Sequence, residues 1–272
     1  MKASVASRSV YYTLTTVMAV VFVLPLVWAA VSSVSPSPGT AQKHGFGLNN
    51  YETLFSYGYG LPRYLMNSLI ISIGATILTL LLAATGGYAF ARFRFRGKNV
   101  MFVLVLSIMM IPYATLLIPL LVWMKDLSLQ NSLFGVVLVL TLFQIPFGIF
   151  MMRTSFTAVP RDLESAALID GCNAFQAFRR VMIPAVRPGL ITVGLFAYLA
   201  AWNDFMVSLY LLSMNNAPLP LALVNMRQQT MGVIDYGSTT AGVVVLTIPA
   251  VILFLALQRH YIRGFTSGAV KG

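Results

Sequence analysis

Side chains that could carry out chemistry are few in this chain. Its two histidines, His44 and His260, are far apart in the sequence, and its one cysteine is Cys172. No run of the form G-x-x-x-x-G-K-[ST], which cradles nucleotide phosphates, occurs. The sequence therefore predicts no catalytic residue, no metal site and no cofactor bound by this chain, and a single cysteine permits no internal disulfide.

One acidic residue lies inside a long apolar run. Asp204 follows Trp202 and Asn203 within residues 190–212. A carboxylate in a membrane is costly unless it faces a cavity or a partner. An aromatic ring beside polar groups suits a sugar, because the ring stacks on C–H groups and the polar groups bond hydroxyls. These three residues are candidates for a substrate pathway, and the alternative is that Asp204 fastens two helices together.

A patterned polar segment follows the fourth apolar run. Pro160 precedes two acidic residues, Asp162 and Glu164, and the segment reaches a glycine at Gly171. Proline at a helix start, acids in its first turn and glycine after its end predict a short helix. A second short helix is expected to end near Pro184. The pair predicts a compact knob, which on these grounds alone could equally lie on the anionic inner leaflet through its arginines, Arg179, Arg180 and Arg187.

Composition indicates the environment that positions these segments. The chain has 272 residues, of which 58% are hydrophobic and 9% charged, and its mean hydropathy is +0.82. About 20 apolar residues span a bilayer as a helix. The sequence predicts an all-α membrane protein with one domain over 1–272 and six transmembrane helices, at about 10–31, 66–90, 100–123, 130–152, 190–212 and 238–258.

Small residues and prolines suggest how these spans pack. Ala83 and Gly87, with Ala91, form a small-xxx-small face that predicts close packing of the second span. Three prolines are expected to interrupt the third and fourth spans, where their missing hydrogen bonds need other partners: Pro112, Pro119 and Pro146.

The distribution of basic residues predicts the topology. Of the 18 lysines and arginines, 14 fall in the termini and loops of one side, and four fall on the other, namely Lys43, Arg63, Lys125 and Arg227. The positive-inside rule places both termini in the cytoplasm. The net charge of +11 therefore reflects membrane topology and indicates no nucleic-acid binding. This topology also puts the two histidines on opposite sides.

Several stretches resemble the carbohydrate-type permeases of bacterial ATP-binding-cassette importers. The knob is similar to that family's EAA loop, roughly E-A-A-x-x-D-G with a downstream L-P, at Ser165, Ala166, Ala167, Leu168, Ile169, Asp170, Gly171, Phe178, Ile183, Pro184 and Pro188. Residues 89–99, 201–205 and 264–272 resemble its second inner loop, fifth helix and tail. The resemblance covers most of the chain and implies a type I ABC importer fold with a cytoplasmic coupling-helix loop at 160–188.

The resemblance also implies partners. A permease of this kind is expected in the bacterial cytoplasmic (inner) membrane, paired with a second homologous permease as a heterodimer and served by an extracytoplasmic solute-binding protein. Two separate ATP-binding subunits would bind ATP and Mg. The implied contacts with the ATPase subunit are Glu164, Ser165, Ala166, Ala167, Asp170, Gly171, Phe178 and Pro184 in the loop, and Ser267, Gly268 and Lys271 in the tail.

One position departs from the family pattern. The family glutamate, which is implied to pair with the ATPase subunit, falls on Ser165 here, and Glu164 corresponds to the acidic residue often found just before it. Two explanations are open. Either Glu164 takes over this role, or the partner permease holds the full motif.

Two other classes of protein compete with this interpretation. An ion-coupled secondary transporter is expected to show an internal repeat and several ionisable groups near the membrane midplane, and here only Asp204 lies within a span. A membrane-embedded enzyme would need clustered His, Asp or Glu within the helices. The importer permease is the interpretation that the sequence favours, for a solute that could be a sugar, oligosaccharide, amino sugar, polyol or glycerophosphate compound.

Overall fold

The chain folds into helices throughout its described residues. The computed structural model describes residues 5–36, 45–229 and 235–269, with side chains over 9–36, 45–227 and 235–258. All regular elements in these ranges are helical, which confirms the predicted all-α class. The chain divides into two compact units, one of Met1–Pro62 with Ala222–Ile248 and the other of Arg63–Leu221 with Pro249–Gly272.

The helices are numbered here in chain order. Short 3-10 turns occur at Ile108–Met110 and Met214–Asn216, and a π-helical turn occurs at Phe178–Met182. The helices are α1 (Val5–Val34), α2 (Asn49–Ser56), α3 (Leu61–Arg92), α4 (Lys98–Ser107), α5 (Tyr113–Asp126), α6 (Leu133–Ala158), α7 (Arg161–Ile169), α8 (Ala174–Ala177), α9 (Ile183–Ala185), α10 (Arg187–Trp202), α11 (Met206–Leu211), α12 (Leu219–Gln229) and α13 (Tyr236–Ala269).

Long apolar helices provide the transmembrane spans. Four are long and apolar enough to cross a bilayer alone: Ser9–Val34, Leu61–Arg92, Leu133–Ala158 and Tyr236–Gln258. Two bent pairs also qualify, namely Lys98–Met110 with Tyr113–Asp126, and Ala174–Ala185 with Arg187–Trp202. With each bent pair counted as one span, the total is the predicted six.

The third span is not the single helix predicted over 100–123. It bends by 102° between its two halves. Pro112 causes this break, because a residue before proline is pushed out of the helical region and proline has no amide to donate. Ile111 is accordingly extended, with ψ at 125°. The expectation of an interruption is wrong for Pro119 and Pro146, which lie inside the continuous helices α5 and α6.

The predicted fifth span, 190–212, is also broken. Helix α10 ends at Trp202, and α11 begins only at Met206. The side-chain amide of Asn203 donates to the Leu199 carbonyl at 2.8 Å. The carboxylate of Asp204 accepts from the backbone amides of Val207 and Ser208 at 3.4 and 3.1 Å. The Asp204 side chain therefore satisfies two amides at the start of α11 that have no helical acceptor, and the Asn203 side chain adds a second donor to a carbonyl that already accepts from the Asn203 backbone amide.

In the first unit, α2 closes the end of α1. The side-chain amide of Asn50 donates to the carbonyls of Ser33 and Ser35 at 2.9 and 2.8 Å. The Tyr51 hydroxyl donates to the Ser33 hydroxyl at 2.9 Å. The last carbonyls of a helix lack intrahelical donors, so these bonds fix where the long first span stops.

In the second unit, small residues bring α3 and α6 together, as the small-xxx-small face predicts. A Cβ atom at Gly87 would lie 2.8 Å from the backbone nitrogen of Arg153, and one at Gly148 would lie 2.8 Å from the Cβ of Ala83. Neither position leaves room for a side chain. This close contact places the C-terminal end of α3 beside the C-terminal end of α6, where the knob begins.

Candidate functional site

The knob, residues 160–188, consists of short helices whose limits are set by local sequence signals. Helix α7 begins after Pro160 and carries Asp162 and Glu164 in its first turn. At its end the amide of Gly171 donates to the Leu168 carbonyl at 3.2 Å, and the amide of Cys172 donates to the Ala167 carbonyl at 3.0 Å. These two bonds form a Schellman motif, which requires a left-handed residue. Gly171 supplies it, with φ at +88°.

The second helical piece of the knob is also capped. Asn173 accepts from the amide of Gln176 at 2.9 Å, and the Gln176 side chain accepts from the amide of Asn173 at 3.0 Å. This reciprocal pair is a capping box. The chain then passes through the π-helical turn and α9 into α10, with a bend of 78° between Ala174–Ala185 and α10.

One group of the predicted coupling residues faces outward. Ser165, Ala166, Asp170 and Gly171 are all exposed. A Cβ atom at Gly171 would meet nothing within 4 Å, so the tip is open around it. Two large apolar side chains border this surface and are themselves exposed, Ile169 at 85% and Phe175 at 69%. We call the six residues the knob tip.

The other group faces inward. Ala167 is buried, whereas Glu164, Phe178 and Pro184 are half-buried. The ring centroid of Phe178 lies 4.8 Å from that of Tyr88. The two phenylalanines of the second helical piece therefore face different ways, because Phe178 packs inward while Phe175 is exposed at the tip.

Glu164 is held within the chain by two residues of α3. It accepts a hydrogen bond from the Tyr88 hydroxyl. Its other oxygen forms an ion pair with Arg92 at 3.2 Å from Nε, a contact of opposite charges that lacks the alignment of a hydrogen bond. Only 6% of the Arg92 side chain and 19% of the Glu164 side chain are exposed.

Arg92 also binds the residue that follows α6. One of its terminal nitrogens donates to the Val159 carbonyl at 2.7 Å. Arg92 is the last residue of α3, Val159 follows α6, and Glu164 lies in α7. One guanidinium therefore joins three helices, and we call Tyr88, Arg92, Val159 and Glu164 the knob anchor.

Aromatic packing supports the anchor. The Tyr88 ring also contacts Phe93 and Phe156, with centroids 5.5 and 5.4 Å apart. Phe156 and Met182 are fully buried in the same cluster. Aromatic pairs at these separations add stabilisation beyond their buried area, so the hydroxyl of Tyr88 points at Glu164 from a fixed ring.

The candidate pathway residues lie where the two broken spans meet. The Tyr113 hydroxyl, just after the break of the third span, donates to Asp204 at 2.7 Å. The hydroxyl of Ser208 also donates to Asp204, at 3.2 Å. Asp204 therefore fastens α5 to the segment between α10 and α11. This geometry corresponds to the alternative in which Asp204 joins two helices. Nothing in the sequence pattern identified Tyr113 as a partner of Asp204.

A cleft of about 400 Å³ opens beside this junction. Asn203 and Asp204 line it, together with residues that the sequence did not single out, including Tyr113, Phe143 and Gln144. Trp202 is instead buried and stacks on Tyr198, with ring centroids 5.7 Å apart and planes 10° from parallel. The structure thus brings two of the three predicted residues to one cleft, and the third does not line it.

Other predicted positions lie elsewhere. Ser267 and Gly268 belong to the last turns of α13, and Lys271 falls outside the described residues. Among the side chains described, over 9–36, 45–227 and 235–258, no group of three His, Cys, Asp or Glu residues could hold a metal ion.

The fold is that of the membrane subunits of type I ABC importers. It is similar to a chain of a bacterial ABC transporter involved in the import of the acidic polysaccharide alginate, with a TM-score of 0.81 and 21% identity over 96% of this chain and 99% of that chain. It is also similar to a chain of the MetNI methionine ABC transporter, with a TM-score of 0.58 and 16% identity over 75% and 95% of the two chains.

The sequence identifies the family. Residues 83–267 match the binding-protein-dependent transport system inner membrane components, and the chain belongs to this family. It is 33% identical to the trehalose transport system permease protein of Mycobacterium tuberculosis over 98% of this chain and 99% of that protein. It is 37% identical to a diacetylchitobiose uptake system permease protein of Streptomyces coelicolor over 77% and 75% of the two chains. With the arabinooligosaccharides transport system permease protein of Bacillus subtilis it shares 32% over 94% and 92%.

Membership defines the role of the chain. It is the membrane-spanning permease component of an ABC import system and acts as a pathway, not as an enzyme, since ATP hydrolysis in such systems belongs to a separate subunit.

The knob anchor predicts a specific sensitivity to proteolysis. Replacement of Glu164 by Ala should make trypsin cleave at the exposed arginines of the knob at least tenfold faster, because it leaves the buried Arg92 without a counter-ion and Tyr88 without its acceptor. Tenfold corresponds to about 1.4 kcal/mol, below the 3–5 kcal/mol typical for breaking a buried pair. Asp162→Ala, an exposed carboxylate on the same helix, is the control and should change the rate less than twofold. Equal rates in the two variants would contradict the anchor.

Proposed function

We propose that this chain is the permease of an importer for a sugar or sugar-like solute, and that the knob couples closure of an ATP-hydrolysing subunit to alternating access. One observation carries the coupling role: the knob tip is exposed, while the knob anchor ties the same short helix to α3 and α6. When a partner displaces this surface, the anchor transmits the displacement to the transmembrane helices. The relatives named for trehalose, diacetylchitobiose and arabinooligosaccharides support the solute class.

The knob tip is the proposed docking surface for the ATPase subunit. Its exposed Ile169 and Phe175 provide apolar contacts, and Ala166 with Gly171 keeps the surface between them flat. The carboxylate of Asp170 is free to meet a cation of the partner. Such a mixture of apolar contacts and a few polar groups is usual for protein interfaces.

The anchor bears on the position where this chain departs from the family pattern. Glu164 is committed to Tyr88 and Arg92, so it is a poor substitute for a glutamate that pairs with another subunit. Ser165 stands exposed in that place. We therefore favour the second explanation, in which the homologous partner permease supplies the full charged contact.

The complete assembly proposed here contains more chains. It has this permease and a homologous one as a heterodimer, two ATP-binding subunits that hold ATP and Mg, and an extracytoplasmic solute-binding protein. Both termini of this chain lie in the cytoplasm, and the tail residues Ser267, Gly268 and Lys271 contact the ATPase subunit. A solved alginate transporter in complex with a sugar-bound periplasmic protein, similar to this chain with a TM-score of 0.67, supports the last of these partners.

The proposed substrate contact is the cleft between the broken spans. Gln144 and Asn203 line it and present amide groups that suit sugar hydroxyls, and Phe143 presents a ring. Asp204 is held by Tyr113 and Ser208 and keeps the cleft in shape. Trp202, the residue before Asn203, is buried against Tyr198 and takes no direct part in the cleft.

The cleft predicts effects on the uptake constant. Gln144→Ala and Asn203→Ala should each raise the KM for the transported sugar about fivefold, because each loses one hydrogen bond worth about 1 kcal/mol. Trehalose, diacetylchitobiose and arabinose oligosaccharides are the solutes to test in proteoliposomes that contain the assembled importer. The exposed Gln130→Ala is the control. An unchanged KM in both variants, with assembly intact, would remove the cleft from the pathway.

The knob tip predicts a variant that assembles but does not transport. Gly171→Asp should abolish most uptake and leave membrane insertion normal, because a side chain at φ of +88° costs about 1–2 kcal/mol and adds bulk where the partner docks. Gly60→Asp imposes a similar backbone strain, at φ of +89°, away from the knob. This control should transport normally. Normal uptake by Gly171→Asp would exclude the coupling role.

A further inference from the structure

Four cationic side chains cluster beside the start of α4, apart from the knob tip. Arg94, Lys98, Arg153 and Arg161 come from three different parts of the chain, and the charges of the three arginines act on the Lys98 ammonium. The charged groups that act on the Lys98 ammonium are all cationic, and no carboxylate is among them. The cluster is therefore a site of concentrated positive charge.

Two of the four cations are held in place and keep free donors. The Lys98 ammonium donates to the Phe93 carbonyl at 3.0 Å, which leaves two of its three hydrogens. The guanidinium of Arg153 lies 3.9 Å above the ring centroid of Phe102, a cation–π contact that occupies its face and not its N–H groups. Arg94 and Arg161 are exposed, and their charges act on the same Lys98 ammonium.

Helix α4 presents an apolar surface next to these cations. One side of α4 packs through Phe102 against Phe90 and Ile149. The other side is exposed through its apolar residues Val100, Met101, Val103 and Leu104. Ten residues of helix are about 15 Å long, which is half of a hydrocarbon core of about 30 Å. The whole of α4 thus matches the depth of a single leaflet, and its exposed apolar residues lie toward the end nearest the cations.

We propose that Arg94, Lys98, Arg153 and Arg161 bind the phosphate headgroup of an anionic phospholipid, with an acyl chain lying along the exposed face of α4. Charge complementarity and the adjoining apolar strip together favour a lipid over a soluble anion, because only a lipid satisfies both. Lysine and arginine form strong charge-assisted bonds with phosphate oxygens. Basic residues at the inner surface of a membrane are attracted to anionic lipids.

The site has a structural consequence for the knob. Arg161 is the first residue of α7, and Arg153 lies in the last turns of α6. A headgroup bound by both holds the entry of the knob at the bilayer surface. The inference uses the cytoplasmic orientation proposed above, but the binding itself can be measured without it.

Native mass spectrometry of the purified full chain in neutral detergent tests the site. Dioleoyl phosphatidylglycerol should be retained more strongly than dioleoyl phosphatidylcholine, and inorganic phosphate at the same concentration should not compete. The double variant Lys98→Gln with Arg153→Gln should lower phosphatidylglycerol retention at least fivefold, to the level of phosphatidylcholine. The matched control is Arg179→Gln with Arg180→Gln, which removes the same charge from exposed positions of the knob.

Three outcomes would overturn the proposal. They are equal retention of the two lipids by the wild type, unchanged retention by the Lys98/Arg153 variant, and a loss confined to the Arg179/Arg180 control. A Lys98/Arg153 variant that keeps phosphatidylglycerol but no longer purifies with an ATPase subunit would assign the cluster to a protein interface instead. Should the double variant aggregate, the exposed Arg161→Gln should by itself lower retention at least twofold. None of these outcomes alters the test of the coupling role at Gly171.

Discussion

The half-buried carboxylate of Glu164, bound to Arg92 and Tyr88, is the contact on which the knob depends. Arg92 ends α3 and also holds the Val159 carbonyl, so the first helix of the knob has a fixed position relative to two spans. Without this contact, no ion pair would join the first helix of the knob to α3, and the knob would be held by its chain ends and by the buried cluster that includes Phe156 and Met182. A firm connection is what a permease moved by a separate ATPase requires, since a displacement that the knob absorbed would not reach the pathway.

The third and fifth spans, which lie near the cleft, are not continuous helices. A hydrogen bond from Tyr113 to Asp204 links the break of one to the break of the other. Irregular backbone at membrane depth is tolerated where polar partners or a cavity satisfy it. The second unit therefore combines tight small-residue contacts near the knob with interrupted helices beside the cleft. Within this unit, the interrupted segments are the natural candidates for rearrangement during alternating access.

Much of this arrangement could be predicted from the sequence because it is local. Apolar run lengths gave the number of spans, and Pro160 and Gly171 gave the limits of α7. The partners of Glu164 were not predictable, since Tyr88 and Arg92 precede it by more than 70 residues and belong to a span whose packing no local pattern describes. The break at Asn203 was not predicted, because hydropathy averaged over a long window hides a few polar residues. The side chains of such residues can replace the hydrogen bonds of a helix.

The central claim is that the knob tip contacts an ATPase subunit while Glu164 stays on the anchor. The most direct measurement is cysteine cross-linking in membranes that contain the whole importer, with Cys172→Ser as the background. Ile169→Cys, at the tip, should cross-link to the ATPase subunit. Ala167→Cys, which is buried on the anchored side of the same helix and leaves Glu164 in place, should not. Cross-linking from position 167 and none from position 169, in importers that assemble normally, would contradict the account.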